Sequence, residues 1–281
     1  MKNIGININI SKDIDGKILK SITQVIYNEI VDCNLKIFRD SKKLKYDAIK
    51  ELDLLIVLGG DGTILGAARS LGEHQIPILG VNIGNLGFLT TVESSRFKVA
   101  MEAVNKGNYF VEERLMLQCS IFKDGENIIY SSLNDVVISK GTLSRIIEYE
   151  IFIDDKKYTE FVADGVIIAT PTGSTAYSLS AGGPIIYPQL EVISLSPICP
   201  HSLGMRSIIL DSKSKIVIKL ISEWESAFLT VDGQESVELK ENNNILITAY
   251  PYKCKLIRLD DYDYFDVLRE KIIWRTKKVR K

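Results

Sequence analysis

The chain has 281 residues, 46% of them apolar, with 36 acidic against 35 basic side chains and a net charge of −1. This composition excludes a disordered chain, gives no electrostatic footprint for nucleic acid, and suits one large or two ordinary domains. Cys33, Cys119, Cys199 and Cys254 stand at neither zinc nor redox spacing, and neither a leader nor an apolar run near the ~18 residues of a membrane span is visible, so a soluble cytoplasmic protein with reduced thiols is expected.

Residues 4–10 read as a short apolar strand, and residues 16–32 carry Ile18, Leu19, Ile22, Val25, Ile26 and Ile30 at helical spacing. Residues 52–58 form a continuous apolar run ending in glycines, as a buried parallel strand does. A helix is expected over 63–72, a strand over 76–83, and a helix over 94–105 closed by Gly107. Strand alternating with helix implies a parallel sheet covered on both faces, a Rossmann-like α/β domain. From about residue 108 strands dominate. Ile147, Tyr149, Ile151 and Ile153 alternate with Glu148, Glu150 and Phe152, residues 154–157 make a hairpin turn, and Ile216, Ile218 and Leu220 alternate with Lys215 and Lys219 around Val217. Residues 262–274 read as a helix with Phe265, Leu268, Ile272 and Ile273 on one face, packing back on the first domain. The expected divisions are therefore 1–110 (α/β), 111–258 (β-rich) and 259–281 (helix and tail). The basic tail 277–281 reads as a solvated terminus that could also bind an anion.

Two stretches carry the chemistry. Leu58-Gly59-Gly60-Asp61-Gly62-Thr63 is a glycine turn following an apolar run. Glycines let backbone N–H groups approach phosphate oxygens, and the following helix start adds partial positive charge. No Lys-Ser or Lys-Thr pair follows, so this is not a P-loop, and the spacing is not that of the dinucleotide fingerprint. Phosphates here would be held without a P-loop lysine, with Mg²⁺ neutralising much of their charge. A carboxylate inside such a cradle is repulsive, so Asp61 has two readings: a base taking a proton from an attacking hydroxyl, or an N-cap.

The second stretch is Thr170-Pro171-Thr172-Gly173-Ser174-Thr175-Ala176-Tyr177, directly after a strand over 166–169. Its hydroxyls and N–H groups suit a purine edge and ribose hydroxyls, or else bond their own backbone. Ala176 leaves room for a flat ring. Tyr177 either stacks on a base or is a core aromatic. Asn134-Asp135 is a pair suited to ribose hydroxyls and ring nitrogens, or simply a turn before a strand; Asp164 shares that ambiguity. Val231-Asp232-Gly233-Gln234 reads as a hairpin turn with a polar end.

In this order the elements resemble the NAD kinase family. The matching words are Leu58 to Thr63, Asn82-Ile83-Gly84-Asn85-Leu86-Gly87-Phe88-Leu89, Asn134-Asp135, Arg145 before Ile147-Glu148-Tyr149, Asp164 through Ser178, Pro200-His201-Ser202-Leu203, and Asp232-Gly233-Gln234. The glycine word alone is shared with diacylglycerol kinases, sphingosine kinases and phosphofructokinases; the long hydroxyl block makes the match specific. The resemblance implies an α/β domain and a β-rich domain with the site in the cleft between, and transfer of the γ-phosphate of ATP, with Mg²⁺, to the 2′-hydroxyl of the adenosine ribose of NAD. It implies Asp61 as proton acceptor and Gly59, Gly60 and Gly62 as the phosphate turn. Asn134, Asp135, Thr175, Ala176, Tyr177, Ser178, Leu179 and Ser180 would surround the dinucleotide, Asp164 would lie near its nicotinamide half, and Arg145 and Gln234 near its edges. A homodimer or homotetramer is implied, with a neighbouring subunit completing the site, and neither nucleic acid nor membrane as partner. Where the family often has Arg, Lys or Gly, this chain has Val162, which donates no hydrogen bond and leaves NAD against NADH open, leaning to NAD. His201 is expected to be packed or hydrogen-bonded. The competing functions are a lipid kinase sharing the glycine turn and a dinucleotide sensor without turnover.

Overall fold

The computed structural model describes residues 2–41, 44, 46–84, 87–123, 126–141, 146–202, 204–221, 226–239 and 244–273. They form two compact units, residues 1–113 with 255–281 and residues 114–254. The first unit contains β1 (Asn3–Ile8), α1 (Lys17–Glu29), β2 (Asn34–Phe38), α2 (Tyr46–Ile49), β3 (Leu54–Gly59), α3 (Asp61–Leu71), β4 (Ile78–Asn82), β5 (Val92–Glu93), α4 (Phe97–Lys106) and β6 (Tyr109–Arg114). In the second unit follow β7 (Leu117–Lys123), β8 (Glu126–Ser132), β9 (Asp135–Lys140), β10 (Ile147–Ile153), β11 (Lys156–Ala163), β12 (Gly165–Ala169), α5 (Tyr177–Ser180), β13 (Val192–Ile198), β14 (Ile208–Asp211), β15 (Ile216–Leu220), β16 (Ala227–Val231), β17 (Glu235–Leu239) and β18 (Ile245–Ala249). The chain ends with β19 (Cys254–Leu259) and α6 (Tyr264–Leu268).

Among the described residues the first unit's sheet runs β2-β1-β3-β4-β19-β6, with β5 beside β4. The pairs β1–β2, β1–β3, β3–β4, β4–β5 and β4–β19 are parallel. Every residue of β3 and β4 is buried, which explains their unbroken apolar sequence. Leu54, Ile56 and Leu58 share a core with Ile22 and Ile26 of α1 and with Phe97, Ala100, Met101 and Val104 of α4. The alternate positions face the other way. There Gly80 lets α3 approach: a Cβ on Gly80 would lie 2.6 Å from Ile64 Cδ1. The start of α1 is capped from outside the helix, the Asp13 carboxylate accepting the N–H groups of Ile18 and Leu19 at 3.0 and 2.8 Å. In a parallel sheet the C-terminal ends of β1, β3 and β4 emerge on one edge, where open α/β sheets bind ligands.

The second unit has two six-stranded antiparallel sheets, β11-β10-β15-β18-β7-β8 and β14-β13-β12-β9-β16-β17. Their inward residues, among them Leu117, Cys119, Tyr149, Ile151, Ile216 and Ile247 from one sheet and Val136, Ile138, Val166, Ile168, Leu195 and Leu229 from the other, form one core. Asp154 and Asp155 take φ of 50° and 63° in the β10–β11 hairpin, the left-handed pair that a two-residue turn requires.

Three local expectations change. α3 begins at Asp61, two residues before the position read from the sequence, because Gly60 already serves as its N-cap. β19 joins the parallel sheet beside β4 instead of closing the strand-rich segment. The C-terminal helix is short and continues as a π-helical turn over Arg269–Ile273, and the expected apolar face is not the buried one at its start: Tyr264 is buried while Phe265 is 52% exposed. Trp274 and the basic tail lie outside the described residues. Among the described residues no helix is long and apolar enough to cross a membrane.

Candidate active site

In the first unit the glycine turn joins β3 to α3. A Cβ on Gly59 would lie 2.2 Å from Thr63 Oγ1, so only glycine lets the strand end this close to the helix. Gly60 O accepts the N–H groups of Thr63 and Ile64 at 2.9 and 3.3 Å. Gly62 is exposed beside them.

Asp61 is the first residue of α3, not its cap. Its carboxylate points across the edge of the sheet to the segment after β4. Oδ2 accepts from Phe88 N at 2.7 Å, and Oδ1 accepts from Leu89 N at 3.0 Å and Thr90 N at 3.2 Å. A carboxylate has about four lone-pair directions, so among the described residues three are filled and one on Oδ2 is left. Gly87 makes the approach possible, since a Cβ there would fall 1.9 Å from Asp61 Oδ1. The segment is held from behind by Arg258 of β19, whose Nη1 donates to Leu89 O at 2.9 Å and to Thr91 Oγ1 at 3.3 Å, while Nε donates to Glu112 Oε2 at 2.7 Å. Arg258 and Glu112 are both buried, and the guanidinium lies 4.5 Å over the Tyr262 ring. Their charges are therefore paired inside the unit.

In the second unit three of the sequence words meet. Asp232, at φ 50° in the β16–β17 turn, accepts hydrogen bonds from Ser132 Oγ at 2.7 Å, Leu133 N at 3.3 Å, Asn134 N at 2.7 Å and Asp135 N at 3.3 Å. Asn134 O in turn accepts Thr170 N at 2.9 Å. A Cβ on Gly173 would lie 2.1 Å from the same carbonyl oxygen. The backbone of Asn134 is thus fixed from two sides, leaving its amide side chain and the Asp135 carboxyl without a hydrogen-bond partner among the described residues. Burial first, and the nearby Asp232 carboxylate second, push the Asp135 carboxyl up to about 7.

Several hydroxyls of the block serve the loop itself. Thr170 Oγ1 donates to Leu133 O, Ser174 Oγ to Pro171 O and Thr175 Oγ1 to Thr172 O, while Arg114 Nη1 donates to Thr172 Oγ1 at 3.2 Å. Ser178 is buried with Oγ 3.3 Å from Ser196 Oγ. Thr175, Ala176 and Leu179 are half-buried and Ser180 is exposed. Tyr177 is 47% exposed, so it is not a core aromatic.

Asp164 lies at the far end of β12 from Thr170, since Gly165 pairs with Ser139 and Ala169 with Asp135. That is roughly 20 Å of strand. Its carboxylate is 2.9 Å from Lys140 Nζ. Val162 is half-buried, and its carbonyl accepts His201 N at 2.9 Å. The His201 side chain is exposed and makes no hydrogen bond among the described residues, which corrects the expectation of a packed or bonded histidine. Gln234 is exposed at the turn beside Asp232. Arg145 lies outside the described residues. Asp232 is the residue sequence reading undervalued: it was legible only as a turn, because its partners lie about a hundred residues earlier in the chain.

Comparison with known proteins agrees across the chain. Residues 12–109 match the ATP-NAD kinase N-terminal domain and residues 133–259 the ATP-NAD kinase C-terminal domain. An NAD kinase of Clostridium botulinum (strain ATCC 19397 / Type A) is 50% identical over 99% of this chain and 98% of its own length. An NAD kinase of Clostridium tetani is 49% identical over 97% and 99%. Among solved structures, yeast NADH kinase complexed with NADH aligns with a TM-score of 0.82 at 27% identity over 98% of this chain and 88% of that one. An NAD kinase from Archaeoglobus fulgidus in complex with ATP aligns with a TM-score of 0.78 at 25% identity over 96% and 98%.

Proposed function

The chain belongs to the ATP-NAD kinase family, and from that premise we propose that it transfers the γ-phosphate of ATP to the 2′-hydroxyl of the adenosine ribose of NAD, giving NADP and ADP. The observation that carries the chemistry is the Asp61 carboxylate, fixed by three N–H donors beside a glycine turn with one lone pair left on Oδ2. That oxygen takes the proton of the ribose hydroxyl as the new O–P bond forms and the bond from Pγ to the β–γ bridging oxygen breaks. Gly59, Gly60 and Gly62 give the phosphates access to the N-terminus of α3, and rigid placement supplies much of the rate.

Among the described residues no three His, Cys, Asp or Glu side chains stand together as a metal cage. A magnesium ion held by phosphates and water, as ATP carries it, fits such a donor set. When bound, that ion neutralises charge developing on the transferring group.

Asn134 and Asp135 present an amide and a carboxyl to the dinucleotide, with Thr175, Ala176, Tyr177, Ser178, Leu179 and Ser180 forming the adjoining wall and Gln234 its edge. Asp164 reads the nicotinamide half; the length of β12 between it and Thr170 is a span that an extended dinucleotide bridges. The assembly is a homodimer or homotetramer in which a neighbouring subunit completes the site, working in the reducing cytoplasm that four cysteines in no disulfide suit.

The test is a coupled assay of purified protein with ATP and Mg²⁺, reading NADP formation from NAD and NADPH formation from NADH, with light scattering for the assembly. NADP formed in preference to NADPH supports the reading. NAD binding without product under varied triphosphates and metals would make the protein a sensor, and neither binding nor product would direct attention to lipid acceptors.

A further inference from the structure

The turn after β1 carries a cation to the glycine turn. Asn9 N donates to Leu58 O at 3.1 Å, holding the chain beside β3 as β1 ends. A single 3₁₀ turn over Ile10–Lys12 follows, its start capped by Asn9 Oδ1, which accepts Ser11 N at 3.1 Å and Ser11 Oγ at 2.7 Å. Lys12 therefore projects over the ends of β3 and β4. Its Nζ lies 3.2 Å from where a Cβ on Gly60 would stand and 3.6 Å from the same position on Gly84. Two glycines from different strand ends thus leave a small space against one ammonium.

That ammonium is not neutralised. Lys12 is exposed, and among the described residues its side chain makes no hydrogen bond or ion pair. The carboxylate next to it in the chain, Asp13, is committed elsewhere, to the N–H groups of Ile18 and Leu19. A second observation points to the same space. Asn82, at the end of β4, is 3% exposed, and among the described residues its buried Oδ1 has no hydrogen-bond partner; it lies 3.9 Å from the Cβ position of Gly84. A buried amide oxygen left this way is destabilising, because it has given up water without gaining a donor. The cost is removed when a donor arrives.

We infer that Lys12 is the cation that binds the terminal phosphates of the triphosphate donor, with Asn82 Oδ1 taking one of its three N–H donors and steering the other two onto phosphate oxygens. The inference rests on the reading of the protein as an ATP-dependent kinase and deepens its donor site. Lysine suits the task as a compact point charge on a flexible stem. It occupies the role of a P-loop lysine but arrives from the end of a neighbouring strand, so phosphate charge is met by the protein as well as by magnesium.

The test compares Lys12→Met, Lys12→Arg and Asn82→Ala with the wild type by steady-state kinetics, and by calorimetric titration with inorganic tripolyphosphate. Lys12→Met should raise the KM for ATP and weaken tripolyphosphate binding in parallel, each roughly 10- to 100-fold, as expected for a lost hydrogen bond to a charged group. The KM for NAD should stay within about twofold and the unfolding midpoint should not move, because the side chain is exposed. Lys12→Arg should keep most of the affinity, and Asn82→Ala should show a smaller loss of the same kind. Unchanged ATP and tripolyphosphate affinities, or a shift confined to NAD, would overturn the inference. Should the wild type form no NADP at all, the kinase reading fails by itself, and the tripolyphosphate titration still decides the role of Lys12.

Discussion

The backbone N–H of Phe88 donates to Asp61 Oδ2 at 2.7 Å, and this bond fixes where the carboxylate's remaining lone pair points. Asp61→Asn would place either an amide N–H group against a backbone N–H or an oxygen with no basicity toward the acceptor. The kcat should fall at least 100-fold, the range for losing a positioned base, while the Kd for NAD changes little. Loss of charge-assisted bonds to the 88–90 segment should also lower stability by about 1–3 kcal/mol. Single-turnover NADP formation and urea unfolding of the same preparation check both parts.

Gly87→Ala tests the geometry without touching the carboxylate. The added methyl would fall 1.9 Å from Asp61 Oδ1, so the loop or the carboxylate must shift. The expected result is a fall of about tenfold or more in kcat with NAD binding retained, plus destabilisation of about 1–3 kcal/mol from overpacking. Kinetics equal to the wild type would show that the orientation of Asp61 does not matter to turnover.

The strands and most helices were legible because hydrophobic periodicity encodes which face each residue buries. Residues 54–59 and 78–82 could hardly be anything but buried parallel strands. What the sequence hid is the order β1-β3-β4, which sets three strand ends side by side. Lys12, Asp61 and Gly87 are separate words in the sequence, and only that order makes them neighbours. In the second unit the hydroxyl block was visible as a block, but the partners of each hydroxyl were not. Thr170, Ser174 and Thr175 turn to nearby carbonyls because the segment is largely buried and those acceptors need donors. Spacing revealed neither the π-helical turn after α6 nor that Tyr264, and not Phe265, is the aromatic α6 buries.

Asp135 should leave a pH signature. Its carboxyl is raised from 3.8 to about 7, by burial first and by Asp232 second. Between those values the folded protein keeps a proton that the unfolded chain has released, so this contribution is full below about pH 4 and is lost as pH rises through about 7. Asp135→Asn, a neutral stand-in for the protonated acid, should flatten that part of the profile and gain stability relative to the wild type above pH 7, by a few kcal/mol at most. Denaturant unfolding of both proteins from pH 4 to 8 checks it. Parallel profiles would mean that the carboxyl titrates as an ordinary exposed acid.

Asp232→Asn removes the charge that collects Ser132 Oγ and the N–H groups of Leu133, Asn134 and Asp135. Asparagine tolerates the positive φ, so the turn itself should survive. Its amide group would face donors with another donor, costing about 2–3 kcal/mol. Because Asn134 is positioned through this carboxylate, the KM for NAD should rise several-fold while the KM for ATP holds. An equal rise in both would assign Asp232 to stability alone.

Arg258 links the stability of the first unit to its chemistry. One face of the guanidinium pairs with buried Glu112; another supports Leu89 O, whose own residue donates its N–H to Asp61. Removing one partner of a buried ion pair leaves the other charge stranded, so Arg258→Met should cost about 3–5 kcal/mol. The double variant Arg258→Met with Glu112→Leu removes both charges and should recover much of that loss. It would not recover the donor to Leu89 O, so kcat should remain below the wild-type value after stability returns. Thermal unfolding and NADP formation measured on the single and double variants separate the two roles. If activity returns together with stability, the support of the Asp61 segment by Arg258 is structural only, and the orientation of the base does not depend on it.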